Sequence, residues 1–288
     1  MTEPRQRTVA CLSPAGIHRM AYTEYGAPEN PNVLVCVHGL TRVGRDFERL
    51  ARVLTDRYRV VCPDVVGRGR SEWLRDPSHY VLPQYVADMV TLVARLDVEA
   101  VHWVGTSMGG LIGLSLAGQP GSPITRLVLN DVGPTIDAPA LVRIGEYLGK
   151  PVRFANVDQA VDYITAISLP FGLRSRDEWR EITESVIRRD GDGYVLHYDP
   201  GLALPIRNLT PELAAAGEAA LWKLYDNIRC PTLLTRGAAS DLLSSETAAA
   251  MSQRGPRAKV VEFESVGHAP MFFHDEQISV VRDFLLNG

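Results

Sequence analysis

The sequence lacks the features that mark membrane, nucleic-acid-binding and secreted proteins. It has no run of about 18 apolar residues, the length that a transmembrane helix requires. Its arginines are scattered and form no basic block, so neither a nucleic-acid partner nor a membrane partner is expected. Residues 1–7 are polar and carry no apolar core of a signal peptide, so we expect a cytoplasmic location.

Cysteine is also scarce. The four cysteines, Cys11, Cys36, Cys62 and Cys230, are far apart and lie in or beside apolar runs. This distribution favours buried free thiols over a disulfide framework. No Cys/His spacing resembles a zinc site, so no metal is expected.

What the chain does have is an ordinary globular composition and enough length for a large core. It comprises 288 residues, of which 45% are hydrophobic and 22% charged, with a net charge of -4. These values are typical of a globular protein, and one large domain with an insertion fits the length better than two equal domains. The oligomeric state stays open.

Strand-like and helix-like patterns alternate along most of the chain. Strand patterns cover residues 8–12, 17–25, 32–37, 58–62, 100–105, 126–130, 231–236 and 258–263, and helical patterns cover residues 46–54, 80–96, 111–117 and 272–286. Apolar strands that alternate with helices predict an α/β fold with a mostly parallel sheet covered on both faces. In such sheets the functional residues gather at the carboxyl ends of the strands.

One segment breaks this alternation. Residues 133–227 show helical patterns and little strand, apart from a short extended piece at 191–198. A segment this long is more than a connecting loop. We therefore predict a helical cap at 133–227, inserted after the sixth main strand, and a core formed by residues 1–132 and 228–288.

The most informative motif is Gly-Thr-Ser-Met-Gly at residues 105–109. It follows an apolar strand pattern and precedes a helical one, which is the context of a nucleophile elbow. The elbow turns too sharply for bulky side chains two residues either side of the serine. The motif therefore predicts that Ser107 is a catalytic nucleophile.

A serine nucleophile needs a base and a carboxylate that orients the base. His268 follows the last predicted strand, and Asp241 follows the strand before it. Asp131, which ends the strand at 126–130, is the rival carboxylate. We favour Asp241 because it follows the later strand, which predicts the triad Ser107, Asp241 and His268.

The same reaction needs donors for the oxyanion of its tetrahedral intermediate. The amide of Met108, directly after the nucleophile, is one predicted donor. The second is the amide of Leu40, in the loop that follows the strand at 32–37. His38 in that loop is interpreted as a residue that braces the turn rather than a catalytic group.

These motifs together resemble the α/β-hydrolase superfamily over essentially the whole chain. The resemblance is carried by His-Gly at 38–39, the Asp-x-x-Gly-x-Gly-x-Ser turn at 64–71, the elbow at 105–109, Ser-Asp at 240–241 and Gly-His at 267–268. It implies an eight-stranded, mostly parallel sheet with a helical cap. It also implies that Ser107, Asp241 and His268, together with the amides of Leu40 and Met108, carry the reaction.

Departures from related groups narrow the expected chemistry. The chain lacks the His-Gly-Gly-Gly of one lipase branch, and it has serine where dehalogenases and epoxide hydrolases of this fold use aspartate. Ala269 follows His268, where carbon–carbon hydrolases of the meta-cleavage type often have tryptophan. His-Gly-Leu-Thr-Arg at 38–42 and Leu-Asn-Asp-Val-Gly-Pro at 129–134 are similar to a group of bacterial hydrolases.

The expected function is a serine hydrolase of small to medium carboxylic esters, a carboxylesterase, with no cofactor. Three alternatives stay open: an oligomer hydrolase for polyesters or hydroxyalkanoates, a carbon–carbon bond hydrolase, and a non-enzymatic small-molecule receptor. The substrate is expected between sheet and cap. Candidate apolar residues for its pocket are Ile136, Leu141, Ile144, Tyr147, Leu148 and Ile167.

Overall fold

A central eight-stranded sheet organises the computed structural model, which describes residues 3–287. The strands are β1 (Arg5–Ser13), β2 (Gly16–Tyr25), β3 (Val33–Val37), β4 (Arg59–Pro63), β5 (Val101–Thr106), β6 (Ile124–Asn130), β7 (Arg153–Phe154), β8 (Ile187–Asp190), β9 (Gly193–Leu196), β10 (Thr232–Gly237) and β11 (Lys259–Phe263). The main sheet has the order β1-β2-β4-β3-β5-β6-β10-β11. The β1/β2 and β2/β4 pairs are antiparallel, and the other pairs are parallel. This arrangement confirms the predicted fold class.

Strand β3 shows why the sheet is covered on both faces. All five of its residues are buried, and successive side chains point to opposite faces. Val33, Val35 and Val37 pack in one apolar cluster, while Leu34 and Cys36 pack in a second. A strand that is apolar at every position therefore needs a helical layer on each side.

Some of the helices supply those two layers. The helices are α1 (Glu48–Leu54), α2 (Leu82–Leu96), α3 (Met108–Ala117), α4 (Ala138–Tyr147), α5 (Val157–Ser168), α6 (Arg176–Glu184), α7 (Ala203–Arg207), α8 (Pro211–Asn227), α9 (Ser245–Gln253) and α10 (Asp275–Asn287). Residues of α2, α3 and α8 pack on the face that contains Val35, and residues of α1 and α10 pack on the face that contains Leu34.

The chain between β6 and β10 contains α4 to α8 and a second sheet, with the strand order β7-β9-β8. We call residues 133–227 the inserted segment. The second sheet departs from the prediction of little strand there, apart from β9, which lies within the predicted extended piece at 191–198. The reason is local: β8 reads Ile-Arg-Arg-Asp, so it has no apolar alternation, and Gly191 in the left-handed conformation (φ 58°) turns it back against β9.

The cysteines are free thiols, as predicted. Cys11, Cys36 and Cys62 are buried, whereas Cys230 is only partly buried. Among residues 3–287, no helix combines the length and the apolar character needed to cross a lipid bilayer.

Candidate active site

Ser107 lies at a sharp turn between β5 and α3, with its backbone in an unusual conformation (φ 52°, ψ -117°). Two glycines make the turn sterically feasible. A Cβ at Gly105 would lie 2.2 Å from the carbonyl oxygen of Gly109, and a Cβ at Gly109 would lie 2.0 Å from the carbonyl oxygen of Val37. The structure thus contains the strand–turn–helix context that the motif predicts, with Ser107 directly before the positive N-terminal end of α3.

A continuous hydrogen-bond chain runs from Ser107 through His268 to a buried carboxylate. The Oγ of Ser107 is 2.9 Å from Nε2 of His268. Nδ1 of the same ring is 2.7 Å from Oδ2 of Asp131, whose side chain is fully buried. The imidazole is therefore held by a partner at each ring nitrogen, which is the arrangement of a nucleophile, a base and an orienting carboxylate.

The prediction that Asp241 pairs with His268 is wrong. The Asp241 carboxylate instead accepts two hydrogen bonds from Arg143, at 2.8 and 3.0 Å. Its side chain is 47% exposed. Both ring nitrogens of His268 are already bonded to Ser107 and Asp131, so no position is left for Asp241.

The end of β10 and the loop after it explain why Asp131, and not Asp241, bonds to His268. They supply hydrogen-bond donors to the carboxylate rather than the carboxylate itself. The amide of Gly237 donates to Oδ1 of Asp131 at 2.8 Å, and the hydroxyl of Ser240 donates to Oδ2 at 2.6 Å. These two bonds fix the orientation of the Asp131 carboxylate. The fact that Asp241 follows a later strand than Asp131 therefore does not identify the carboxylate that bonds to His268.

Asn130 is a positioning residue that sequence reasoning missed. Its fully buried side chain donates to Oγ1 of Thr106 at 2.9 Å and to the carbonyl oxygen of Pro270 at 2.7 Å. It also accepts from Oγ1 of Thr235 at 2.8 Å. Strands β5 and β10 and the loop that carries His268 are thus joined through one amide. The sequence signal that could have identified Asn130 is a polar residue at the end of an otherwise apolar, buried strand.

The predicted oxyanion donors, Leu40 and Met108, follow β3 and Ser107 respectively. Across residues 3–287, neither amide has a hydrogen-bond acceptor in the protein. Leu40 borders the same cavity as Ser107. Two amides without acceptors beside a nucleophile are consistent with donation to a substrate oxygen, and that role stays a prediction.

His38 braces the loop that carries Leu40, as interpreted from the sequence. Its Nδ1 donates to the carbonyl oxygen of Gly39 at 2.7 Å, and its Nε2 accepts from the amide of Val65 at 2.9 Å. Burial lowers the pKa of His38 to about 3, so the ring is neutral at physiological pH. Because Gly39 and Leu40 share one peptide unit, the bond to Gly39 also orients the Leu40 amide.

Arg68 contacts both residues that carry the predicted donors. The side chain is fully buried, in the turn at residues 64–71. Its Nε donates to the carbonyl oxygen of Leu40 at 2.8 Å, and its Nη2 donates to the sulfur of Met108 at 3.2 Å. Nη1 donates to the carbonyl oxygen of Val66 at 2.7 Å. One guanidinium therefore links the loop after β3 to the first residue of α3.

Ser107 and His268 open into a cavity of about 90 Å³ between the main sheet and the inserted segment. Three of the predicted pocket residues line it: Ile144, Tyr147 and Ile167. Leu148 is fully buried in packing, and Ile136 and Leu141 are not part of the wall. The remaining apolar wall is contributed by Phe47, Ile164, Phe171, Val186, Leu196, Tyr198 and Met271.

A separate buried cluster has the residue types of a metal site. The side chains of Cys11, His18 and Asp88 place one ligand atom each within 4.8 Å of the others. These groups are partly hydrogen-bonded to one another: Nε2 of His18 is 3.0 Å from Oδ2 of Asp88, and Gln84 donates to Oδ1 of Asp88 at 2.7 Å. Among the described residues, Nδ1 of His18 has no partner. Burial raises the pKa of Cys11 to about 12, which favours the neutral thiol.

The site and the fold agree with a match to a known protein family. A family model described as the alpha/beta hydrolase fold matches residues 32–275. The chain belongs to the alpha/beta hydrolase family. The matched range includes Ser107, Asp131 and His268, so the hydrogen-bonded residues of this alpha/beta hydrolase lie within the family region.

Individual relatives of this alpha/beta hydrolase span nearly its whole length. The 3-hydroxybutyrate-oligomer hydrolase of Cupriavidus necator is 55% identical over 285 residues, which is 98% of this chain and 97% of that protein. The pimeloyl-[acyl-carrier protein] methyl ester esterase of Xanthomonas campestris is 26% identical, covering 85% of this chain and 91% of that one. An alpha/beta hydrolase from Novosphingobium aromaticivorans has a similar structure (TM-score 0.86, 32% identity, 99% of both chains). These relatives support a hydrolase that acts on esters.

Proposed function

We propose that the protein hydrolyses the ester bonds of short 3-hydroxybutyrate oligomers through an acyl-serine intermediate on Ser107. The hydrogen-bonded chain from Ser107 through His268 to Asp131, at the wall of an apolar cavity, is the observation that carries the proposal. The relative in Cupriavidus necator, 55% identical, supports the substrate class. The four-carbon acyl unit of such an oligomer suits a small apolar cavity.

Acylation begins when Oγ of Ser107 attacks the ester carbonyl carbon and His268 accepts the hydroxyl proton at Nε2. The carbonyl oxygen becomes an oxyanion, which accepts hydrogen bonds from the amides of Leu40 and Met108. The bond from the carbonyl carbon to the alcohol oxygen then breaks. His268 returns the proton to that oxygen, so the alcohol leaves neutral and the acyl group stays on Ser107.

Deacylation repeats these steps with water. His268 accepts a proton from water, the hydroxide oxygen bonds to the acyl carbon, and the bond to Oγ of Ser107 breaks with return of the proton to Oγ. Throughout the cycle, Asp131 stabilises the imidazolium and keeps the Nδ1 proton of His268 directed away from the nucleophile. This assigns the orienting role to Asp131 and none to Asp241.

Within the inserted segment (133–227), we propose that α4 to α7 and the second sheet act as a cap on the core of residues 1–132 and 228–288, whereas α8 packs on the main sheet. The cap supplies much of the apolar wall of the cavity, including Ile144 and Tyr147. Apolar walls exclude water from the reacting ester and strengthen the hydrogen bonds made to the oxyanion.

Replacing Arg68 is expected to impair the oxyanion site without removing any reacting group. Arg68→Met keeps the apolar bulk of the side chain and loses its bonds to Leu40 and Met108. We expect kcat on p-nitrophenyl butyrate to fall roughly tenfold with little change in KM, because only the transition state uses the oriented amides. Affinity for an alkylboronic acid, which mimics the tetrahedral intermediate, should fall in parallel.

Arg70→Met is the matched control for this variant. Arg70 lies on the same turn, and its Nη2 donates to Oγ1 of Thr23 at 2.9 Å rather than to the site. It should keep kcat near the wild-type value. Equal losses in the two variants, or a fall in kcat with unchanged boronic acid affinity, would show that Arg68 only supports the fold.

The proposed substrate class is tested by steady-state kinetics on a defined series of esters. The series comprises p-nitrophenyl butyrate, the linear dimer and trimer of 3-hydroxybutyrate, and a long-chain p-nitrophenyl palmitate. We expect the highest kcat/KM values on the dimer and trimer, and the lowest on palmitate, because the cavity encloses only about 90 Å³. Faster hydrolysis of palmitate than of the dimer would contradict the proposal.

A further inference from the structure

The wall of the cavity beside Ser107 combines apolar and uncharged polar side chains with a few charged ones. Apart from His268, these are Arg42, Asp46 and Arg143. These side chains differ in whether they can bind a ligand, because their hydrogen-bond partners in the protein and their exposure differ.

Arg42 is held in a buried ion pair. Its Nε and Nη2 both donate to the carboxylate of Asp46 at 2.7 Å, and Nη2 also donates to the carbonyl oxygen of Ile182 at 3.1 Å. Both side chains of this pair are about nine-tenths buried, with exposed fractions of 9% and 10%. The pair contributes no net charge to the cavity, and breaking it would leave a buried charge without a partner.

Arg143 is different. It lies on α4, beside the cavity residues Ile144 and Tyr147, and its side chain is 36% exposed. Nε and Nη2 bond to Asp241, which does not line the cavity, and within residues 3–287 no acceptor pairs with Nη1. A solvent-exposed ion pair of this kind contributes little stability, so Arg143 can exchange its partner at small cost.

The proposed substrate brings such a partner. A linear oligomer of 3-hydroxybutyrate ends in a carboxylic acid, which is ionised at neutral pH because such groups titrate near pH 4. An ion placed against apolar walls is costly unless a counter-charge and hydrogen bonds are supplied. The planar guanidinium of arginine binds a carboxylate through two parallel hydrogen bonds.

On the basis of the proposed function, we propose that Arg143 is a subsite for the terminal carboxylate of the hydroxy-acid oligomer. Ser107 and Arg143 are walls of one small cavity, and in a dimer only a short chain separates the ester carbonyl from the carboxylate. The carboxylate belongs to the unit that leaves as the alcohol. The enzyme therefore removes units from the carboxyl end of its substrate.

Asp241 takes a defined role in this arrangement. Its carboxylate accepts from the two donors that the substrate carboxylate would use. Asp241 therefore orients Arg143 before the substrate binds, and the substrate carboxylate then displaces it. The aspartate that the sequence suggests as a catalytic acid is thus a placeholder for the substrate's own carboxylate.

The test compares two substrates that differ only in this charge: the linear 3-hydroxybutyrate dimer and the same dimer with its carboxyl end methylated. Wild type should prefer the free acid. In Arg143→Gln, the ratio of kcat/KM for the acid to that for the methyl ester should fall roughly tenfold to a hundredfold, mainly through KM, since a charge-assisted pair is lost. Arg143→Lys should restore part of the ratio.

A matched control is Arg153→Gln. Arg153 also lies on the inserted segment and forms exposed ion pairs, with Asp190 and Asp192, but it does not line the cavity. Its ratio should equal that of wild type. As a second measurement, 3-hydroxybutyrate should inhibit hydrolysis of p-nitrophenyl butyrate competitively in wild type and at least tenfold more weakly in Arg143→Gln.

Two results would overturn the subsite. One is a wild-type enzyme without preference for the free acid, and the other is an equal loss on both substrates in Arg143→Gln. Hydrolysis of p-nitrophenyl butyrate distinguishes failure of the subsite from failure of the proposed function, because that ester has no carboxylate and does not need Arg143. If it is turned over in a Ser107-dependent way, ester hydrolysis stands although the subsite fails.

Discussion

Ser107→Ala should lower kcat on p-nitrophenyl butyrate and on the 3-hydroxybutyrate dimer by a factor on the order of a million. The expected size follows from comparable triads, in which loss of the nucleophile costs about as much as loss of the whole triad. Alanine keeps the backbone of the elbow and removes only the oxygen that bonds to the acyl carbon. His268 would then have no proton to accept from a nucleophile.

The control for this variant is Ser115→Ala. Ser115 lies on the same helix, α3, and is buried, and within residues 3–287 its hydroxyl has no hydrogen-bond partner, so its loss should leave kcat near wild type. A fluorophosphonate should modify wild type on the peptide that contains Ser107 and leave Ser107→Ala unlabelled. Retained turnover in Ser107→Ala, or a label on another serine, would refute the acyl-serine mechanism.

The parts of the molecule that follow from local pattern were predictable from the sequence. Strand β3 is apolar at each position, which requires a sheet covered on both faces. The elbow is also visible as a local pattern, since Gly105 and Gly109 flank Ser107 between an apolar strand and a helix, although the steric demand on Gly109 comes from Val37 of β3. Fold class and nucleophile therefore needed no knowledge of distant contacts.

The parts that depend on how distant loops meet were not predictable. Asp131 and Asp241 each follow a main strand, and nothing local distinguishes them. The difference lies in Ser240 and Gly237, whose donors converge on Asp131 from another strand. Arg68 likewise looks like one of many arginines until the structure places it against Leu40.

Strand β9 lies within the extended piece predicted at 191–198, but β7 and β8 escaped prediction for a related reason. Strand β8 carries three charged residues in succession after Ile187, and its stability comes from pairing with β9 rather than from an apolar face. Patterns of hydrophobicity report burial. A strand exposed on both faces therefore leaves almost no trace in them.

A second large loss of activity is expected at Asp131 and not at Asp241. Asp131→Asn is expected to lower kcat on the order of ten-thousand-fold, because asparagine cannot stabilise the imidazolium of His268 and allows the wrong tautomer of its ring. The new amide group would also face the donors from Gly237 and Ser240, which leaves a buried donor without an acceptor at a cost of about 1–3 kcal/mol.

Asp241→Asn is the matched variant, since it makes the same chemical change at the carboxylate that follows β10. On p-nitrophenyl butyrate, which has no carboxylate to compete for Arg143, it should stay within a few-fold of wild type. The measurement is kcat for both variants, with melting temperatures to confirm that each is folded. A greater loss in Asp241→Asn would mean that the loop after β10 carries the acid in the working enzyme. The bond between His268 and Asp131 would then belong to a resting arrangement, so this pair of variants tests the catalytic assignment independently of the fold.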